Sequence, residues 1–134
     1  MSDTPQSFDA ESRRKEWIAR LAPLMETIGQ WAAEQGWPIS DQPREISERL
    51  LGTYQAPGLR VRTPSGDLLV EPVARHVIGG DGRVDLTAWP SLNRVKLVGH
   101  DDGWRVFTDS NLAWPKPWCK DTFLELARGL AAAA

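Results

Sequence analysis

The chain has 134 residues, 41% hydrophobic and 25% charged, which fits one globular domain over residues 1–134 with a core large enough to need no staples. Its single cysteine excludes an intrachain disulfide and points to a reducing, cytoplasmic setting. The net charge is −2, with 16 basic and 18 acidic residues interspersed, so composition argues against a partner held by phosphate contacts, and no apolar run is long enough to span a bilayer.

Residues 1–7 are polar, lack the basic patch and apolar stretch of a signal peptide, and are expected to fray. From about residue 8 to 35, Trp17, Leu21, Leu24, Ile28 and Trp31 recur in steps of four and three and draw one apolar stripe along a helix. Pro23 interrupts it, since its ring clashes with the preceding turn and its nitrogen cannot donate. The stripe keeps phase across it, which predicts one kinked helix or two abutting ones. Gly36 supplies a left-handed stop and Pro38 prevents continuation. A second, shorter helix is expected next, capped by Asp41, with Pro43 in its first turn, Ile46, Leu50 and Leu51 on its buried side and Gly52 at its end.

After Tyr54 the period changes to two. Leu59 and Val61 alternate with Arg60 and Arg62, and the segment 63–66 has turn composition. The next strand, 67–78, contains Pro72, which places it at an edge or at a bulge because proline cannot donate to a ladder. A glycine-rich turn at 79–82 leads to 83–89, where Val84, Leu86 and Ala88 share one face and Arg83, Asp85 and Thr87 the other. Strands at 94–98 and 104–108 follow, joined by short turns and therefore antiparallel. The last element is a helix, with Thr122 and Glu125 in the capping-box relation and Phe123, Leu126, Ala127 and Leu130 on its apolar side. Residues 131–134 are expected to fray. The reading is an α+β domain: N-terminal helices and a C-terminal helix packed on one face of an antiparallel sheet of about five strands.

Seven tryptophans invite a functional reading. Trp114 and Trp118 bracket a stiff Pro-Lys-Pro segment that could stack on a ring or a peptide, or could fold back to plug the core. Trp89 has either fate, depending on sheet register. Asp85 and Lys96, with Glu45 or Glu71 as a further acid, loosely match the strand-borne acid-and-lysine pattern of metal-dependent nucleases. Arg94 stands where that pattern needs an acid, however, and a strand follows where it needs a helix. Alternation puts Asp85 and Lys96 on the outer face of neighbouring strands, where a cross-strand charge contact is the ordinary explanation. Cys119, beside Lys120 and close to a helix start, has two features that lower a thiol's pKa, while a lone thiol is more commonly inert. His76 and His100 lack metal-ligand spacing, and the glycine run at 79–82 leads into a strand instead of the helix a phosphate cradle needs. No metal or cofactor is expected.

The stretch Glu71-Pro72-Val73-Ala74-Arg75, followed by Gly80-Asp81-Gly82-Arg83-Val84-Asp85-Leu86 and Trp89-Pro90, resembles runs in a group of small uncharacterised bacterial proteins. The resemblance covers the middle of the chain and implies a natural domain type without an activity. Taken together, the residues predict a non-catalytic interaction module that binds a protein partner, or its own copy, through an aromatic-bearing surface including Trp89, Trp114 and Trp118. The alternatives are an enzyme, either a phosphodiesterase using Asp85 and Lys96 or a thiol enzyme using Cys119, and a small-molecule binder with a pocket between sheet and helices.

Overall fold

A computed structural model describes residues 5–75, 81–100, 103–108 and 116–132. The N-terminal stripe forms one helix, α1 (Pro5–Glu34), which runs through Pro23 without a break. Trp17, Leu21, Leu24, Ile28 and Ala32 are buried along it, while Pro23 faces solvent. Solvent can satisfy the carbonyl that proline leaves without a donor, so the apolar face carries the helix across it. Its end follows the expected chemistry. Gly36 has φ 76°, the Trp37 amide donates to the Ala32 carbonyl at 2.9 Å, and the Gly36 amide donates to Ala33 at 3.0 Å. The two bonds satisfy carbonyls that the helix leaves open.

The expected second helix is absent, and its segment is extended. Strand β1 (Ile39–Asp41) is followed by a hairpin of β2 (Arg44–Glu48) and β3 (Gly52–Ala56), in which Ile46 pairs with Tyr54. The spacing of Ile46, Leu50 and Leu51 suits a helix, but only Ile46 and Leu51 are buried; Leu50 is 64% exposed, at the hairpin turn. Burial alternates through Ile46, Tyr54 and Ala56, a period of two that a helix cannot satisfy. The hairpin is tied to its surroundings by polar groups. Arg14 of α1 donates to the Leu51 carbonyl. The Glu48 carboxylate accepts from the Tyr54 hydroxyl and from the Arg75 amide, the latter at 3.0 Å.

Among the described residues the main sheet has seven strands in the order β1-β4-β5-β6-β7-β8-β9, all neighbours antiparallel. Its members are β4 (Leu59–Thr63), β5 (Gly66–Ala74), β6 (Arg83–Trp89), β7 (Arg94–His100), β8 (Gly103–Phe107) and β9 (Lys116–Pro117), with β1 at the far edge. The five strands expected between 59 and 108 are β4 to β8. The expectation of about five falls short by the two edge strands, three and two residues long, too short to show a pattern in sequence. Pro72 sits in an interior strand at a bulge: it pairs with Val84, and the register then shifts before Ala74 meets Arg83. That removes the need for its missing donor.

The closing helix α2 (Lys120–Ala132) starts earlier than the capping-box reading places it. Cys119 is its cap: the Cys119 carbonyl accepts the Phe123 amide at 2.9 Å, and the Thr122 hydroxyl lies 3.3 Å from the Cys119 sulfur. Thr122 is inside the first turn, and Glu125 pairs instead with Lys116 at 3.0 Å.

Both helices cover the same side of the sheet. Trp17, Leu21 and Ile28 of α1 and Phe123 and Ala127 of α2 join Val61, Val70, Leu86 and Leu97 in one buried cluster. Among the described residues no helix is long and apolar enough to cross a membrane.

Candidate binding surface

Alternation along each strand sends every second residue to the side of the sheet away from the helices, and the register sets these residues in rows. One row is Arg62, Asp67 and Trp89. The next is Arg60, Leu69, Thr87 and Arg94. A third holds Glu71, Asp85, Lys96 and Phe107. A fourth holds Arg83, Val98 and Arg105. No described helix packs on this outer face. Among the described residues, six basic side chains and three carboxylates stand on it, on a molecule of net charge −2.

The charges are organised by contact. Arg60 donates to Asp67 at 2.7 Å, and Arg44 of the hairpin reaches Glu71 at 2.8 Å. Asp85 is only 5% exposed, yet it is charged-residue chemistry on a sheet face. It survives there because Arg83 holds both its oxygens, at 2.8 and 3.2 Å, and Arg94 approaches at 3.6 Å. A forked guanidinium bond of this kind satisfies a carboxylate that burial would otherwise penalise. Lys96 faces Asp85 across the strand pair, and its ammonium lies over the Phe107 ring, 5.9 Å from the centroid.

The residues of the nuclease-like reading therefore do meet in space, since Glu71, Asp85 and Lys96 occupy one row. Their carboxylates are engaged by arginines, and Glu45 is exposed on the hairpin, outside the row. Among the described residues no three His, Cys, Asp or Glu side chains stand close enough to share a metal ion.

Cys119 is exposed at the start of α2. The Thr122 hydroxyl, and then the Thr122 backbone amide, hold its thiol below the ordinary cysteine value. Lys120 beside it pairs with Glu34 of α1. The Nε2 of His100, at the end of β7, is buried without a hydrogen-bond partner. His76 lies outside the described residues.

The tryptophans divide by side. Trp89 is 52% exposed at the end of its row on the outer face. Trp118 lies on the helical side, half-buried, with its ring 5.4 Å from Trp31 and 5.9 Å from Phe123. Trp114 lies outside the described residues. Trp89 and Trp118 thus belong to opposite sides of the sheet.

On the helical side Arg20, Pro23, Trp31, Trp104 and Trp118 line a shallow groove of about 230 Å³. Arg20 stacks on Trp104 at 5.0 Å and donates to the carbonyls of His100 and Gly103, so it bolts α1 to the end of β7 and the start of β8. A wider depression of about 670 Å³ lies between α2 and the strand ends near Leu92, Arg94, Thr108 and Lys116.

The rows of the outer face escaped the sequence reading. Arg60 and Arg62, and Arg83, Asp85 and Thr87, were legible as sharing an outer face, but which arginine stands beside which carboxylate depends on register, which no single strand encodes. No family model matches this chain, and no curated protein or solved structure matches it either.

Proposed function

We propose that the protein is a non-catalytic interaction module whose working surface is the outer face of the sheet. The observation that carries this reading is Trp89, half exposed on a sheet face that no described helix covers, in a row with Arg62. Tryptophan and arginine are the side chains that most often anchor protein interfaces, because each buries a large area while keeping a directional donor. The side chains of the enzyme readings already have structural work: Asp85 neutralises Arg83 and Arg94, Lys96 covers Phe107, and Cys119 caps α2.

The test is affinity capture from an extract of the source cells, with three baits compared. Wild-type protein and an α1 variant, Glu26→Lys, are expected to retain the same partner, and Trp89→Ala to lose it. Equal capture by all three baits, or none by the wild type, removes the proposal. Self-association through the same face is read by size-exclusion chromatography of the wild type against Trp89→Ala.

A second reading rests on the groove on the helical side, whose three indoles and one guanidinium suit a small planar ligand. A metabolite that shifts indole emission in the wild type but not in Trp104→Phe would support it; an unresponsive wild type would end it.

A further inference from the structure

We infer that the β6–β8 half of the outer face receives a carboxylate-rich segment of a protein partner. The inference rests on the proposal that this face docks a partner and goes further by assigning the partner's chemistry. Arg83, Arg94 and Lys96 lie on two neighbouring strands, and one described carboxylate, Asp85, stands among them. Asp85 is already shared by Arg83 and Arg94. Glu71, next in its row, is taken by Arg44 from the hairpin. Lys96 stands at the centre of the group with the Phe107 ring beneath it, and no described carboxylate lies within ion-pair distance.

Cations gathered this closely repel one another, and an arriving anion relieves that repulsion while gaining its own contacts. The floor between the charges is apolar: Val98 is 7% exposed and Phe107 is half-buried. Acidic side chains interleaved with apolar ones match such a surface.

A nucleic acid fits less well. Trp89 and Phe107 stand two strands and two rows apart, on the order of 16 Å, too far to stack successive bases. Asp67, Glu71 and Asp85 interrupt any path a phosphate chain would follow across the face, and the whole molecule is net negative.

The experiment measures fluorescence anisotropy of a short labelled peptide of repeated Glu-Glu-Leu units on the full chain. A Lys-Lys-Leu peptide and an oligothymidine serve as comparators. The acidic peptide is expected to bind, more weakly as salt rises, and the other two to bind poorly. Lys96→Gln, alone and with Arg94→Gln, is expected to weaken binding, about tenfold for the pair. Lys15→Gln on α1 should leave it unchanged. If Arg94→Gln loosens Asp85 and disturbs folding by circular dichroism, Lys96→Gln alone decides, because it has no ion pair to lose.

Absent binding, binding unaffected by Lys96→Gln, or equal binding of the basic peptide overturns the inference. Preference for oligothymidine overturns it in favour of a nucleic acid. A partner captured in a Trp89-dependent way while the acidic peptide fails leaves the docking face standing and removes only its chemistry. Lys96-dependent peptide binding with capture indifferent to Trp89 does the reverse.

Discussion

Tyr54 is the chain's only tyrosine, and its hydroxyl donates to Glu48 where the hairpin meets α1. Burial, then the hydrogen bond to Glu48 and that carboxylate's charge, push its pKa above the ordinary tyrosine range; Trp17 and Arg14 offset this in part. Because the folded pKa is raised, the folded state holds the proton that the unfolded chain releases. The stabilisation is complete below the ordinary tyrosine value and is lost as pH climbs beyond it. Absorbance at the tyrosinate band should therefore show no ionisation in the normal range until the protein unfolds, and Tyr54→Phe should flatten the alkaline loss of stability. Ionisation at the ordinary pH with the fold intact would contradict the placement. Two glycines give a second check. A Cβ at Gly82, whose φ is 110°, would overlap the Trp17 ring, whereas one at Gly129 of α2 meets nothing within 4 Å. Gly82→Ala should cost about 3 kcal/mol or more in urea unfolding. Gly129→Ala should instead stabilise by about 0.5–1 kcal/mol, because it removes backbone freedom from a helix.

At the scale of elements, the hairpin of β2 and β3 separates two accounts of one segment. A helix would bury Ile46 and Leu50 on a common side; the hairpin buries Ile46 at 5% exposure and leaves Leu50 at 64%. Ile46→Ala should then cost about 2–4 kcal/mol. Leu50→Ala should stay within about 0.5 kcal/mol, a difference that chemical denaturation reads directly. Comparable losses at both sites would restore the helix. The segment misled because its apolar residues are few, and Ile46, Leu50 and Leu51 fall at a helical spacing. The decisive partner, Tyr54, lies beyond the turn at Gly52, whose φ of 76° closes the hairpin. By contrast the apolar stripe of α1 and its stop signal were legible, since five apolar residues recur in steps of four and three over four turns; its start at Pro5 and its single run through Pro23 were not. The shift of the α2 cap from Thr122 to Cys119 is of the same kind as the hairpin. Either residue can begin the helix locally, and the lid that Trp118 and Phe123 form over Trp31 decides between them.

For the whole molecule, one cluster holds both helices against the inner face of the sheet. Phe123 is fully buried in it and touches Trp31, Trp37 and Trp118. Phe123→Ala should cost about 3–5 kcal/mol, a large share of the stability of a domain this size. Unfolding followed by indole fluorescence and by far-ultraviolet circular dichroism should still trace one transition, because both helices and the sheet share one buried cluster. Separate midpoints would show that α2 lifts away alone.

Taken alone, the amino-acid order indicated the N-terminal amphipathic stripe, the antiparallel strands from β4 to β8, the inner and outer residues of β4 and β6, and the closing helix. Each of these is a local rhythm repeated often enough to read. Tertiary structure decided the hairpin, the two short edge strands, the opposite sides on which Trp89 and Trp118 lie, and the rows that bring Arg83, Arg94 and Lys96 round Asp85. The physical reason is that alternation fixes which way a side chain points, whereas its neighbour is fixed by pairing between segments far apart in the chain. The proposed binding surface is made entirely of such neighbours.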